Sequence, residues 1–269
     1  MLEYQFFVNA LIGVALIAVA ASLVGTYIVA RRMVAVSGGI THACFGGLGL
    51  GCYLGLPPMA VAGVFAVASA LGVEWLSTRQ KLREDSAIAV VWAVGMALGV
   101  LFVFLTPGFV PELNSFLFGN ILTISTADLW IFAGFLVLLS VYMAWRYRLI
   151  VACAFDPDFA RVQRLPVRRV NAAMTVLTAL CIVLTIRLVG IMLLMSMISL
   201  PQLTAEVWAR RISSIASLAT LISLACSLGG LALATVIDVP CSALIVIVMA
   251  VVFFLAKIAG SLTRKFPAK

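Results

Sequence analysis

Long uninterrupted apolar stretches, separated by short polar segments, are the dominant pattern along this 269-residue chain. A helix that crosses a bilayer needs about 20 consecutive apolar residues. Runs of roughly that length occur at 6–30, 40–56, 58–77, 87–105, 128–145, 212–236 and 241–259. Because no polar stretch between them is long enough to fold separately, we expect a single membrane domain over residues 1–269.

Two further apolar stretches do not fit a simple crossing. The stretch 170–205 is longer than one crossing needs and has Arg187 near its middle. We therefore predict a hairpin of two short helices there, which makes the chain an all-α membrane bundle of about nine crossings (eight to nine). The segment 106–126 is interrupted by two prolines and a glycine. It predicts an interfacial or partly buried helix.

The composition agrees with a membrane protein. Hydrophobic residues make up 64% of the chain and charged residues 10%, whereas soluble domains carry about 25% charged residues. The six cysteines are scattered without a C-x-x-C motif, so we expect neither a disulfide framework nor a structural zinc site. No basic tract is interleaved with aromatic residues, and we expect no nucleic-acid partner despite the net charge of +8.

The basic residues predict how the chain is oriented. If Arg31 and Arg32 lie in the cytoplasm, the other cytoplasmic segments are 78–86, 146–169, 206–211 and the tail from 257. Together with Arg31 and Arg32, these segments hold every lysine and arginine of the chain except Arg187. Cytoplasmic loops of membrane proteins are enriched in basic residues. We therefore expect the N-terminus outside and the C-terminus in the cytoplasm.

The longest cytoplasmic segment, 146–169, contains the pattern of a short amphipathic helix. Asp156 or Asp158 can cap its start, with Pro157 in the first turn, and Pro166 ends it. The apolar residues at helical spacing are Phe155, Phe159, Val162 and Leu165. Such a helix either lies against the membrane and its own helices or docks to a cytoplasmic partner.

The second crossing carries the chain's only histidine, His42. Helical geometry puts Gly38, Gly46 and Gly49 around it, with Thr41 beside it, so the imidazole projects from a strip without bulky side chains. One interpretation is that His42 hydrogen-bonds a neighbouring helix. The other is that it lines a path for a hydrophilic solute or ligates a passing metal ion, because ionisable groups at membrane depth are candidates for function.

A second glycine series on this crossing, Gly47, Gly51 and Gly55, has the G-x-x-x-G spacing that lets another helix approach closely. Asp238 lies between the last two crossings, on the predicted outer side, and is either a turn residue before Pro240 or part of a cation path. The chain has no G-x-x-x-x-G-K-[ST] motif. If transport consumes ATP, another subunit therefore binds it.

Six blocks, in order, resemble one family along nearly the whole chain. The blocks are Arg31-Arg32-Met33 followed by THACFGGLGLGCYLG, REDSAIAVVWAVGMALGVLF (83–102), LNSFLFGNILTIS (113–125), FDPDFARVQRLPVRRVN (155–171), RLVGIMLLMSMISLPQLTAE (187–206) and TVIDVPCSALIVIV (235–248). The family comprises the permease subunits of bacterial ABC importers for zinc, manganese and ferrous iron.

This resemblance implies a homodimer in the bacterial cytoplasmic (inner) membrane, in contact with membrane lipids, two cytoplasmic ABC ATPase subunits and an extracytoplasmic metal-binding protein. The coupling helix that docks to the ATPase would comprise Phe155, Asp156, Pro157, Asp158, Phe159, Val162 and Leu165. In the family an Asp precedes the helix-two histidine by four residues, and Gly38 stands there in this chain. Either a second ligand comes from elsewhere, or this branch handles a different ion or mode of passage.

We accordingly expect a transport subunit and not an enzyme. This subunit would move zinc, manganese or iron ions into the cytoplasm, with ATP bound by a partner subunit. We expect no permanently bound cofactor. The translocation path would include His42, Thr41, Gly38, Gly46, Gly49 and Asp238, with His42 as the metal ligand. The alternatives are a secondary carrier driven by an ion gradient and an ABC permease for another small substrate.

Overall fold

Every regular element is helical within residues 4–80, 82–107, 119 and 121–265, which are the residues that the computed structural model describes. In chain order the helices are α1 (Gln5–Ala30), α2 (Val34–Leu54), α3 (Pro58–Arg79), α4 (Glu84–Leu105), a 3-10 turn (Ile121–Thr123), α5 (Thr126–Phe155), α6 (Pro157–Val162), α7 (Val167–Ala205), α8 (Ile212–Ile237) and α9 (Cys241–Lys265). The prediction of an all-α protein is confirmed.

Eight of these helices are long and apolar enough to cross a membrane, which agrees with the predicted eight to nine crossings. Most boundaries lie within a few residues of the predicted ones. The largest difference is at the end of α5, which continues to Phe155, ten residues past the predicted end at 145. The predicted interfacial helix at 106–126 falls mostly outside the described residues, which include only the short 3-10 turn near its end.

The long helix α7 is interrupted once. Gly190 has φ 81° and ψ 173°, a conformation outside the helical region that favours glycine. A straight helix of 39 residues would be about 58 Å long, well beyond the roughly 40–45 Å of a whole bilayer. The break confirms that this stretch is not one straight helix, while the hairpin of two short helices stays a prediction. The break lies at Gly190 and not at Arg187, because glycine tolerates the required positive φ.

The chain divides into two compact units. The first comprises Met1–Arg32, Leu117–Ala144 and Leu188–Lys269. Within its described part, α8 packs against both α1 and α9, and the 3-10 turn lies on α1. The buried side chain of Asn9 donates a hydrogen bond of 3.1 Å to the carbonyl oxygen of Ile124, which ties the turn to the helix.

The second unit comprises Met33–Phe116 and Trp145–Arg187. Its centre is α2, which packs against both α3 and α4 and is the most enclosed of the eight candidate spans. A Cβ atom on Gly47 would lie 2.6 Å from the Cα of Ala62, and one on Gly51 would lie 2.7 Å from the Cα of Pro58. These contacts confirm that the G-x-x-x-G series admits a helix, which is α3. Gly55 instead ends α2 with a φ of 66°.

Large apolar side chains are exposed along the membrane-length helices of both units. Examples are Val64, Val100, Phe104, Trp130, Val141, Val236 and Phe254. In a soluble protein so many exposed apolar residues would favour aggregation. On spans of this length they are the surface that lipid or another membrane helix covers.

A proline lies inside α7, and the next side chain compensates for it. Pro201 has no N–H to donate to the carbonyl of Met197, four residues earlier. The fully buried Gln202 amide donates instead, at 3.2 Å, and also donates to the carbonyl of Ala21 on α1 at 3.0 Å. The helix therefore continues to Ala205, and Gln202 joins α7 to α1 in the first unit.

We expect Gln202→Leu to lower the free energy of unfolding by about 1–3 kcal/mol, because it leaves the Met197 carbonyl buried without a donor. Pro201→Ala restores the backbone N–H. In that background Gln202→Leu should cost much less. Thermal unfolding of the wild type, the two single variants and the double variant in detergent measures this coupling. An equal loss of unfolding free energy from Gln202→Leu in both backgrounds would contradict it.

Candidate functional site

His42 lies in the interior of α2 and is half-buried. Its imidazole is stacked on the indole of Trp92 in α4, with ring centroids 4.5 Å apart and ring planes within 2° of parallel. The neighbouring helix therefore meets His42 with an aromatic ring. The indole covers one face of the imidazole, and because the rings are stacked it does not cover the ring edge that carries the two nitrogens.

Thr41 and Gly38 are both buried next to His42. The Thr41 hydroxyl donates a hydrogen bond of 2.6 Å to the Ser37 carbonyl within the same helix. Because this bond stays inside α2, Thr41 has its polar requirement met without a solute.

Gly46 and Gly49 are close contacts between helices. A Cβ on Gly46 would lie 2.7 Å from the Phe65 ring and 2.9 Å from the Gly95 carbonyl oxygen. A Cβ on Gly49 would lie 3.0 Å from the Cα of Gly99. The strip that the sequence leaves without bulk is thus occupied, at these two positions, by residues of α3 and α4.

Nowhere in the described part of the chain do three or more His, Cys, Asp or Glu side chains come together as a metal-binding group. The nearest cysteine along the helix, Cys44, is buried and directs its thiol to the Ile40 carbonyl at 3.1 Å. Within these residues His42 is therefore not part of a closed cage of metal-binding side chains. A single imidazole suits brief contact with a passing ion better than tight storage.

Asp238 belongs to the other compact unit. It ends α8 in the left-handed conformation, with φ 59°, and its N–H donates to the Ala234 carbonyl at 3.0 Å. The side chain is exposed. The structure therefore gives Asp238 a helix-capping backbone role of the kind that its position before Pro240 predicts.

The predicted cytoplasmic helix is present as α6 and is shorter than expected. Asp156 caps it, because its carboxylate accepts a hydrogen bond of 2.8 Å from the N–H of Phe159, and Pro157 occupies the first position. Asp158 does not cap the helix but forms an exposed ion pair of 2.7 Å with Arg161. Of the two predicted caps, Asp156 is therefore the one observed.

The helix α6 ends at Val162, four residues before Pro166. Arg164 adopts the left-handed conformation with φ 56°. Its N–H donates to Arg161 and the next N–H, of Leu165, donates to Ala160. This pair of bonds is a Schellman motif, and it closes the helix early. Sequence reasoning missed it because arginine, unlike glycine, does not signal a left-handed residue.

Three apolar side chains around α6 are open to solvent, and we call them the docking patch. They are Phe155 (62% exposed), Phe159 (58%) and Val162 (79%). Ala160 is fully buried and anchors the opposite face, while Leu165 is half-buried. Of the four apolar residues predicted for this surface, three are exposed to solvent, and Leu165 is partly buried within the protein.

The sequence does not predict that Trp92 stacks on His42. The available signal was spacing: Ile88, Trp92, Gly95 and Gly99 follow a 4-3-4 pattern that defines one face of α4. All four positions contact α2: Trp92, Gly95 and Gly99 do so, and Ile88 contacts Gly39. The sequence reveals this face but not which residue of α2 opposes Trp92.

Comparison with known proteins finds similarity to membrane proteins of transport systems. The model described as the ABC 3 transport family matches residues 3–260. A probable metal transport system membrane protein of Chlamydia pneumoniae is 36% identical over 229 residues, which covers 82% of this chain and 78% of that protein. The manganese transport system membrane protein MntC of Halalkalibacterium halodurans is 28% identical and covers 100% and 94%, respectively.

Among solved structures, PsaBC from Streptococcus pneumoniae in complex with Fab is similar with a TM-score of 0.83 and 26% identity. The similarity covers 94% of this chain and 91% of that one. The likeness therefore extends over the whole bundle and is not confined to one unit.

Proposed function

Because this chain belongs to the ABC 3 transport family, we propose that it is the membrane-spanning permease subunit of an ATP-driven importer that moves divalent metal ions into the cytoplasm. The observation that carries the proposal is the family match over residues 3–260. The eight membrane-length helices are consistent with it. ATP hydrolysis is assigned to separate ATPase subunits, because the chain has no phosphate-binding loop.

Manganese is the cargo that the relatives favour, since several of them are named as manganese transport proteins. Zinc and iron are the other candidates, because an imidazole binds all three ions. His42 is proposed as a transient polar station for the ion in the membrane interior. A weak site suits this purpose, since an ion that is held too tightly is not released on the other side.

Coupling to ATP hydrolysis is assigned to α6 and its docking patch. A capped helix with exposed phenylalanine side chains provides aromatic residues of the kind that are enriched in interfaces. ATP-driven movement of the ATPase subunits would be transmitted through this helix to α5 and α7, which flank it directly in the chain.

The proposed assembly has two copies of this chain, two cytoplasmic ATPase subunits and an extracytoplasmic metal-binding protein, in the bacterial inner membrane. The basic residues support this orientation, because the side assigned to the cytoplasm holds α6 and nearly all arginines and lysines. Asp238, at the opposite side, is a candidate for the entrance, where a carboxylate favours cations.

The test is ATP-dependent uptake of Mn²⁺ by proteoliposomes that contain the permease and its ATPase. Loss of one contact to a charged group is worth roughly 1.5–3 kcal/mol, so His42→Ala should reduce uptake by about ten-fold or more. Cys52→Ala, on the same helix, is the control and should transport normally. The variants must elute as intact complexes.

Two results would contradict the proposal. Uptake driven by an ion gradient without the ATPase would indicate a secondary carrier. Normal uptake by an intact His42→Ala complex would remove His42 from the path.

A further inference from the structure

The stacked pair of His42 and Trp92 lies beside a close contact between α2 and α4. A Cβ on Gly95 would lie 2.6 Å from the Cα of Ala43, next to His42 on α2. The opposed Gly49 and Gly99 continue the contact, about one turn further along α4. Because the two backbones approach this closely, the rings on residues 42 and 92 meet face to face at 4.5 Å.

A stack of this kind restricts the imidazole without blocking it. Tilting the imidazole away from its parallel arrangement with the indole would move one ring edge into the indole, so the stack restricts the orientation of the imidazole. A metal ion binds an imidazole nitrogen along its lone pair, which lies in the ring plane and therefore at the edge that the indole does not cover. Trp92 thus sets the direction from which an ion can reach His42.

The indole also supplies negative charge density where no carboxylate is nearby on the helix. The described residues of α2 include no Asp or Glu, and Gly38 is one turn before His42. When a divalent ion binds the imidazole, the ring becomes part of a cationic complex. An aromatic face, and that of tryptophan best of all, attracts a cation.

We propose that Trp92 is a positioning residue for the transported ion, which orients His42 and stabilises the metal-bound imidazole through its indole face. This inference rests on the proposed function and adds Trp92 to His42 in the proposed ion path. Trp92 acts on the bound state of the ion and so on KM. It does not act on the ATP-driven step.

The first experiment measures transport by the permease–ATPase complex in proteoliposomes. Trp92→Leu should raise the KM for Mn²⁺ by about ten-fold with little change in kcat, and Trp92→Phe, which keeps an aromatic face, should recover most of the loss. Trp130→Leu, an exposed tryptophan of the other unit, is the matched control and should match wild type.

The second experiment detects the ion beside the indole directly. With the other four tryptophans (Trp75, Trp130, Trp145 and Trp208) replaced by phenylalanine, Trp92 is the only tryptophan. Paramagnetic Mn²⁺ should quench its fluorescence with saturation, and His42→Ala should abolish the saturable quenching.

The outcomes separate the two proposals. An unchanged KM in Trp92→Leu, or a loss of kcat and thermal stability that Trp92→Phe does not recover, would overturn the role of Trp92 while His42→Ala still tested the path. Saturable quenching that persists in His42→Ala would also overturn it. If the wild-type complex transports no metal, the proposed function itself fails.

Discussion

Replacing Phe159 by aspartate is expected to abolish co-purification of the permease with the proposed ATPase subunit. Phe159 is exposed in the docking patch, and a buried interface has to remove the new carboxylate from water without a partner charge. Such a desolvation costs several kcal/mol, which is a large part of the binding free energy of a micromolar complex, about 8 kcal/mol. Pull-down of the tagged permease from co-expressing cells, followed by quantification of the ATPase, measures the effect.

The matched control for this prediction is Gln163→Asp. Gln163 is an exposed polar residue at the end of the same helix, so this change adds the same charge at the same surface and removes no apolar anchor. It should retain the ATPase. Val162→Asp should behave like Phe159→Asp, because Val162 is the most exposed member of the docking patch. Wild-type levels of ATPase bound to both Phe159→Asp and Val162→Asp would show that α6 is not the attachment point.

Gly49→Val is expected to destabilise the bundle severely. The added side chain would point into the backbone of Gly99, which has no flexible side chain that can move aside. Overpacking costs typically about 1–3 kcal/mol, and we expect the upper end or more here because two helices must separate. At about 2–4 °C per kcal/mol for a chain of this size, the Tm in detergent should fall by roughly 10 °C. Fluorescence-detected thermal unfolding measures it.

Gly72→Ala is the corresponding control in the same unit. No atom lies within 4 Å of a Cβ at Gly72 in α3, so the alanine meets no obstacle. Alanine is the better helix former by about 0.5–1 kcal/mol, and the Tm should stay level or rise slightly. If Gly49→Val were as stable as Gly72→Ala, the close approach of α2 and α4 would not be a feature of the folded protein.

Much of the fold follows from local properties of the chain. A run of about 20 apolar residues can satisfy its backbone in lipid only as a helix, so the lengths of the runs predict the helices. Capping is equally local. Asp156 and Pro157 predict the start of α6, and the structure has that start. Even the interruption of α7 was foreseeable, because a stretch of that length exceeds the thickness of a bilayer.

The errors in the prediction arise where a local signal was ambiguous. The break in α7 was assigned to the charged Arg187, but backbone geometry requires a positive φ and Gly190 provides it. The helix α6 was extended to Pro166, but Arg164 takes the left-handed position that closes it. In both cases more than one nearby residue could interrupt or end the helix, and the residue with positive φ is the one that does so.

The sequence is sufficient to show that this is a polytopic helical membrane protein, that its one histidine lies in the second crossing, and that an apolar surface lies in a basic segment. The residues that stand opposite one another become visible in the packed structure. Gly46 and Gly49 are close contacts with α3 and α4, and the imidazole of His42 is stacked on Trp92. Helical periodicity specifies which residues share a face, but the rotation and register of two packed helices depend on side chains of both at once.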